Sequence, residues 1–140
     1  MEEYTKHPDK YYVKNNVSKH EYNMQKHVYD LGIVNVPKIL YYCAQTQRMA
    51  MNRVGKMSIS DMYGEDAKLV PDDIFKTISS IIQLLIKHNI VYPDLTGYNF
   101  VEDTNGEIWI IDFEHASLNE HINSILSVCS GNKTWNANFA

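Results

Sequence analysis

The chain has only two cysteines in 140 residues, Cys43 and Cys129, and no CxxC pair. That excludes a disulfide framework and a thiolate zinc site, and makes a reducing, intracellular (cytoplasmic) setting the expectation. Positive charge is not in excess either: 13 Lys and Arg stand against 17 Asp and Glu, a net charge of −4 spread along the chain. A nucleic-acid partner, which needs a clustered basic face to meet phosphates, is therefore not expected. No apolar run approaches the roughly 18 residues that a membrane-spanning helix requires, and the N-terminal MEEYTKHPDKYY lacks the apolar centre of a signal peptide. The chain reads as soluble, unprocessed and without a membrane partner, so the sequons at Asn16 and Asn132 are chance matches. Six histidines occur without HExxH or other zinc spacing and read as structural or surface groups. No GxGxxG phosphate loop is found among the six glycines.

What is present suits one domain spanning residues 1–140. With 44% hydrophobic residues, the chain can bury roughly two-thirds of its unfolded surface in a single core. KYYVK, Lys10 to Lys14, is aromatic and β-branched and predicts a short strand ending in a lysine, ordinarily a solvated group. Ser18-Lys19-His20-Glu21 has the form of a capping box and starts a helix at Ser18. Glu21, Met24, Val28 and Leu31 recur at three- and four-residue spacing, which turns the Glu21 carboxylate towards the core. Two roles stay open for it: a cap only, or a partner across the core edge for Lys14. Gly32 closes the helix. Val36–Cys43 and Arg48–Val54 form a hairpin, Met57–Tyr63 a short helix or irregular connection, and Gly64–Pro71 a turn-rich division between two halves. Asp72–Asn89 is the clearest helix, with acidic residues first, Lys87 and His88 last, and a stripe of Ile74, Ile78, Ile81, Ile82 and Leu85, widened by Phe75, Leu84 and Ile86. Trp109, between Ile108 and Ile110, reads as core, and the ten tyrosines as filling the core edge. A further helix is expected around Leu118 to Val128.

The stretch VYPDLTGYNFVEDTNGEIWIIDFEHA, Val91 to Ala116, carries the chemistry. Pro93 holds its neighbour extended, so Asp94 lies in a loop. Asp103-Thr104-Asn105-Gly106 is a hairpin turn, and Ile108–Ile111 is a strand that ends at Asp112. The hairpin allows Asp94, Asn99 and Asp112 to converge. One Asp to orient an attacking hydroxyl, with an Asn oxygen and a second Asp to hold Mg²⁺ on phosphates, is what phosphoryl transfer uses, and hard oxygen donors suit that ion.

YPDLTGYN followed by IDFE resembles the paired loop signatures of the protein-kinase-like superfamily. The similarity runs from about Lys10 to His115, with the elements in the family's order. It implies an α+β, truncated two-lobe fold: a small antiparallel sheet plus one helix over about residues 1–55, and a reduced helical lobe over about 65–140. It also implies that Lys14 binds nucleotide phosphates and pairs with Glu21, that Asp94 is the catalytic base, and that Asn99 and Asp112 are the metal ligands. Met51, Asn52 and Val54 would border the adenine. ATP and Mg²⁺ are then the expected cofactors, and a hydroxyl on a protein or small molecule the acceptor.

Departures qualify that picture. Few residues precede Lys14, so the Gly-rich cover over the phosphates is reduced. Tyr92 and Pro93 replace the His and Arg of the loop, Thr96 replaces the lysine two residues after the base, and Glu114 stands where many kinases have glycine, in a form more like choline kinases and aminoglycoside phosphotransferases. Glu114 and His115, beside Asp112, read first as structural or surface groups, with tuning of the metal site the lesser alternative. The short stretch after Ala116 leaves little of a peptide-binding half, as in compact kinase-like proteins of large DNA viruses. The expectation is an ATP–Mg²⁺ phosphotransferase of the serine/threonine-kinase type, the alternative a pseudokinase acting as a nucleotide- or partner-binding module, with homodimerisation through an exposed apolar face conceivable in either case.

Overall fold

In a computed structural model, which describes residues 1–119 and 133–135, the chain opens with a one-turn helix α1 (Glu2–Thr5) that no capping or periodic signal had indicated. Strand β1 (Tyr11–Lys14) follows, then α2 (Lys19–Leu31), β2 (Ile39–Cys43) and β3 (Arg48–Asn52). β3 is the centre of a three-stranded antiparallel sheet ordered β1-β3-β2, with Lys14 opposite Met49 and Tyr12 opposite Met51. The hairpin β2–β3 was expected, each strand shorter than its apolar run because pairing shifts at Ile39/Tyr41 and ends at Asn52.

Half of the capping box forms: Ser18 Oγ accepts the Glu21 amide at 3.1 Å, while the Glu21 carboxylate bonds to Lys14, and Gly32 ends α2 in the left-handed conformation at φ 65°. The buried face of α2 is Glu21, Met24, Gln25 and Val28. Leu31, expected on it, is 37% exposed; at about 100° per residue it falls on the rim of the stripe, beside the cap.

Helix α3 (Ile59–Tyr63), capped by Ser58, and a 3₁₀ turn (Ala67–Leu69) lead to α4 (Asp72–Lys87). α4 buries Ile74, Phe75, Ile78, Ile81, Ile82 and Leu85, and at roughly 1.5–3 kcal/mol per side chain this is a large apolar contribution from a single element. Leu84, expected in the stripe, is 37% exposed, the outer edge of a stripe wider than the core can cover. Strand β4 (Ile90–Val91) pairs with β7 (Ser117–Leu118), and β5 (Phe100–Glu102) pairs with β6 (Ile108–Ile110), Phe100 opposite Ile110. The turn between β5 and β6 is tied by Asp103, whose Oδ1 accepts the amides of Asn105 and Glu107.

Trp109 corrects the sequence reading. Ile108 and Ile110 are buried and Trp109 between them is half-buried, its indole N–H donating to Asp103 Oδ2 at 2.9 Å. Alternation in a strand sends neighbours to opposite faces, so two buried isoleucines place the tryptophan outside. The tyrosines also divide: Tyr92 is buried at 2% exposure, whereas Tyr12, Tyr29, Tyr41 and Tyr98 are exposed. Of the helix expected around Leu118 to Val128, Leu118 and Asn119 lie among the described residues: Leu118 closes β7, and the Asn119 amide donates to the Asn89 carbonyl at 2.8 Å.

Two apolar clusters form among the described residues. The larger gathers α4, Met24 and Val28 of α2, Ile59, Phe100, Ile110 and Phe113; the smaller joins Val17, Met49 and Met51 beneath the three-stranded sheet.

Candidate active site

β1 places Lys14 at its last position, and the helix that starts five residues later turns Glu21 inward beneath it. Lys14 Nζ lies 2.5 Å from Glu21 Oε2 and 3.4 Å from Asp112 Oδ1. Glu21 is 1% exposed. Burial pushes its carboxyl above the usual range, against the pull of Lys14, and the charges of Asp112 and Glu114 push the same way. Burial alone would lower the Lys14 ammonium; the hydrogen bond it donates to Glu21 and the charges of Asp112 and Glu21 outweigh it and hold the lysine above its usual value. Lys14 thus bonds two carboxylates, and a third stands beside them, since Glu21, Asp112 and Glu114 bring oxygens within 4.8 Å of one another.

Asp112 follows β6 at φ 65°, a left-handed conformation uncommon outside glycine and tolerated best by Asn and Asp. This turns its side chain off the strand's alternation and back towards β1. The position is held from both sides: the Ile111 amide donates to the Asn99 carbonyl at 2.9 Å, and the Glu114 amide to Asp112 Oδ1 at 3.3 Å. Tyr92 donates its hydroxyl to the Ile111 carbonyl at 2.5 Å. Burial drives its phenol far above the usual ionisation range, so that it remains a donor.

The loop from Asp94 to Asn99 is closed on itself. Asn99 Nδ2 donates to the Asp94 carbonyl at 2.8 Å, which commits the amide nitrogen and turns the amide oxygen the other way. Gly97 allows the loop to press against α3: a Cβ there would collide with Ser60 Oγ and lie 3.1 Å from the Trp135 ring and 3.2 Å from the Ser60 amide.

These groups line a cleft of about 350 Å³. Seven of the eight residues singled out in the sequence border it: Lys14, Glu21, Met51, Asn52, Val54, Asn99 and Asp112. Asp94 does not. Its carboxylate is buried at 7% exposure, Oδ2 is 2.6 Å from His115 Nδ1, and Oδ1 is buried without a hydrogen-bond partner among the described residues. The Asp94 hydrogen bond and charge raise the His115 imidazole above its usual value.

Several cleft residues escaped the sequence reading. Gln25, 1% exposed, donates to the Pro37 carbonyl at 3.0 Å and contacts Met51 Sδ at 3.6 Å, bracing the sheet against α2. Its position one turn after Glu21 was the available signal. Tyr12 and Lys56 also border the cleft, and nothing in their local sequence marks them. His115, one of the histidines read as structural or surface groups, is half-exposed and holds Asp94.

The donor set fits a hard divalent cation. Asp112, Asn99 and the neighbouring acidic groups supply oxygen ligands only, and three carboxylates gathered beside one lysine leave negative charge that such an ion would neutralise.

The family profile of the RIO domain matches residues 1–127 of the chain. Among solved structures, the kinase PK-1 of Cydia pomonella granulovirus superposes with a TM-score of 0.60 at 15% identity, over 81% of this chain and 46% of that one. The chain therefore spans less than half of that kinase's length. No curated protein matches it in sequence.

Proposed function

Because the chain belongs to the RIO domain family, within the protein-kinase-like superfamily, we propose that it is an ATP- and Mg²⁺-dependent phosphotransferase that delivers the γ-phosphoryl group to a hydroxyl acceptor. One observation carries this reading. Lys14 and Asp112, 98 positions apart, meet with Glu21 at one point of the cleft, and a purely structural domain has no need of such an arrangement. Lys14 holds the nucleotide phosphates, with Glu21 fixing the ammonium. Asn99 and Asp112 hold the metal, which when bound offsets phosphate charge. Met51, Asn52 and Val54 border the base. Asp94 governs activation of the acceptor, a protein or small-molecule hydroxyl. These residues act by positioning and by charge rather than by covalent chemistry. The whole works as one domain, with the sheet and α2 over about 1–55 and the helical part over about 65–140.

A second reading, a nucleotide- or partner-binding module without transfer, is favoured by one fact: the Asp94 carboxylate is covered and does not border the cleft. Among the described residues no helix is long and apolar enough to cross a membrane, so the acceptor is sought first in solution.

A thermal-shift titration with ATP and Mg²⁺ tests nucleotide binding. At a hundredfold excess over Kd the stabilisation is about 2.7 kcal/mol, and Asp112→Asn removes its Mg²⁺-dependent part. Incubation with γ-labelled ATP, alone and with generic proteins or amino alcohols, tests transfer. No stabilisation of the wild type by ATP and Mg²⁺ rejects the enzymatic reading.

A further inference from the structure

Tyr12 stands two positions before Lys14 on β1, so the two side chains leave the strand on the same face. Its register partner on β3 is Met51, one of the residues assigned above to the base. The ring therefore lies between the lysine assigned to the phosphates and the border of the base, and like both it lines the cleft. Helix α2 covers this face of the sheet only in part. Met51, in contact with Gln25, is 6% exposed, whereas Tyr12 keeps 44% of its surface. Exposure of a single aromatic argues nothing by itself; the neighbours of the ring decide what it can do.

One face of that ring is occupied. The Arg53 guanidinium lies 5.3 Å from its centroid, a cation–π distance. Arg53 is itself held, its Nε donating to the Pro8 carbonyl at 2.5 Å and its amide to the Lys10 carbonyl at 2.9 Å. Neither Pro8 nor Lys10 borders the cleft, so the cation is drawn to the side of the ring that faces the segment before β1. Among the described residues no second ring or cation is stacked on Tyr12, and its other face is open. The hairpin β5–β6 supplies the facing surface of the cleft with Val101 and Ile111. An aromatic ring on the sheet side and aliphatic side chains on the hairpin side make a slot suited to a flat, apolar-faced ligand, with Lys14 and Asp112 at its charged end. The cleft measures about 350 Å³ with the ring in place, so the ring leaves room beside it.

We infer that Tyr12 is the stacking platform for the nucleotide's base, with Arg53 holding the ring from its other face. The inference rests on the nucleotide reading above and adds to it the contact by which the cleft tells a nucleotide from a bare polyphosphate. Lys14, Asn99 and Asp112 address charge and metal, which ATP and tripolyphosphate share. The ring addresses the base, which only ATP carries. A base stacked on an aromatic side chain gains from the overlap of two π-faces, whatever hydrogen bonds its edge makes. Tyr12 is thus a binding and positioning residue: it sets the base, and through the base the depth at which the phosphates reach Lys14.

Two variants and two ligands separate stacking from simple support of the strand. Tyr12→Leu keeps an apolar side chain but removes the π-face; Tyr12→Phe keeps the face and removes the hydroxyl. The ring is exposed, so both should fold, and urea denaturation without ligand checks that they do. Isothermal titration calorimetry then gives the Kd of ATP and of tripolyphosphate, each with Mg²⁺, for the wild type and both variants. The expected result is a loss of about tenfold or more for ATP in Tyr12→Leu, no change for tripolyphosphate, and wild-type binding of both ligands in Tyr12→Phe. Equal weakening of the two ligands in Tyr12→Leu would overturn the inference, because the ring would then serve only the position of Lys14. Unchanged or tighter ATP binding in Tyr12→Leu would overturn it as well, the tighter case meaning that the ring fills the place of the base. Both results leave the nucleotide reading intact. A wild type that binds neither ligand overturns the stacking and the nucleotide reading together.

Discussion

The Lys14 ammonium lies 2.5 Å from Glu21 and 3.4 Å from Asp112, so a single side chain ties β1, α2 and the segment after β6 together. Removing it leaves a carboxylate of 1% exposure without its cation. Breaking a buried pair from one side costs about 3–5 kcal/mol. Since Lys14 keeps a quarter of its side chain in solvent, Lys14→Met should fall at the lower end, about 3 kcal/mol. Replacing both partners, as in Lys14→Met with Glu21→Leu, should recover most of that loss, because no charge then stays buried. Urea denaturation of the two variants checks this, and a double variant no more stable than the single one would contradict it.

The Asp94–His115 contact makes a separate prediction about pH. Through its hydrogen bond and charge, Asp94 raises the folded-state ionisation of His115 above the unfolded value of 6.5. A raised value means that the folded state binds the proton more tightly, so the contribution to stability is fully present below 6.5 and is lost as pH rises through the folded value. His115 is half-exposed and the effect is correspondingly modest. The Tm of wild type should decline over that window, and the difference between wild type and His115→Gln should shrink with it. A difference constant from pH 5.5 to 9 would count against the pairing.

How far the sequence foretold this site depends on which signals are local. The Ser18 cap, the glycine stop at Gly32 and the buried row of Ile74, Ile78, Ile81, Ile82 and Leu85 in α4 follow from short-range chemistry and formed as expected, whereas the Glu21 half of the capping box gave way to the bond with Lys14. Lys14 and Glu21 are seven residues apart, yet local pattern could not choose between a cap and an ion pair for Glu21; in the structure it is both in the capping turn and bonded to Lys14. Trp109 was misplaced although the period-2 rule that places it outside was already available. The Asp94–His115 bond had no sequence signal. It depends on how the turn after Phe113 folds back on a loop 21 positions earlier, and only tertiary packing decides that.

Cys43, at the end of β2, offers a chemical test of the β2–β3 turn. Hydrogen bonds from the Thr46 hydroxyl first, then from the backbone amides of Thr46 and Gln45, stabilise the thiolate and bring the thiol down from 9.0 to about 7. Thiolate is the reactive form. In a Cys129→Ser background, the rate of alkylation by iodoacetamide should therefore rise with pH around a midpoint near 7. Thr46→Val removes the largest of those donors and should move the midpoint back towards the free-thiol value. Identical midpoints in the two proteins would show that the turn does not hold the thiolate in this way.

The loop carrying Asp94 and Asn99 depends on a close approach at Gly97. A methyl group there would strike Ser60 Oγ and crowd the Ser60 amide and the Trp135 ring. Of these neighbours the hydroxyl sits on an adaptable side chain, whereas the amide belongs to α3 and cannot retreat without moving the helix. Overpacking of this kind costs about 1–3 kcal/mol. Gly97→Ala should destabilise the protein by that amount and displace the loop, so that stabilisation by ATP and Mg²⁺ weakens as well, Asn99 being a ligand candidate two residues on. Adding Ser60→Gly removes the hydroxyl while leaving the helix amide, and should restore part of both losses. Urea denaturation and the ATP–Mg²⁺ thermal shift, measured on the same two variants, separate the effects. Lost stability with undiminished ATP–Mg²⁺ binding would mean that Gly97 serves only the packing of the loop against α3, and that the position of Asn99 is fixed by its bond to the Asp94 carbonyl alone.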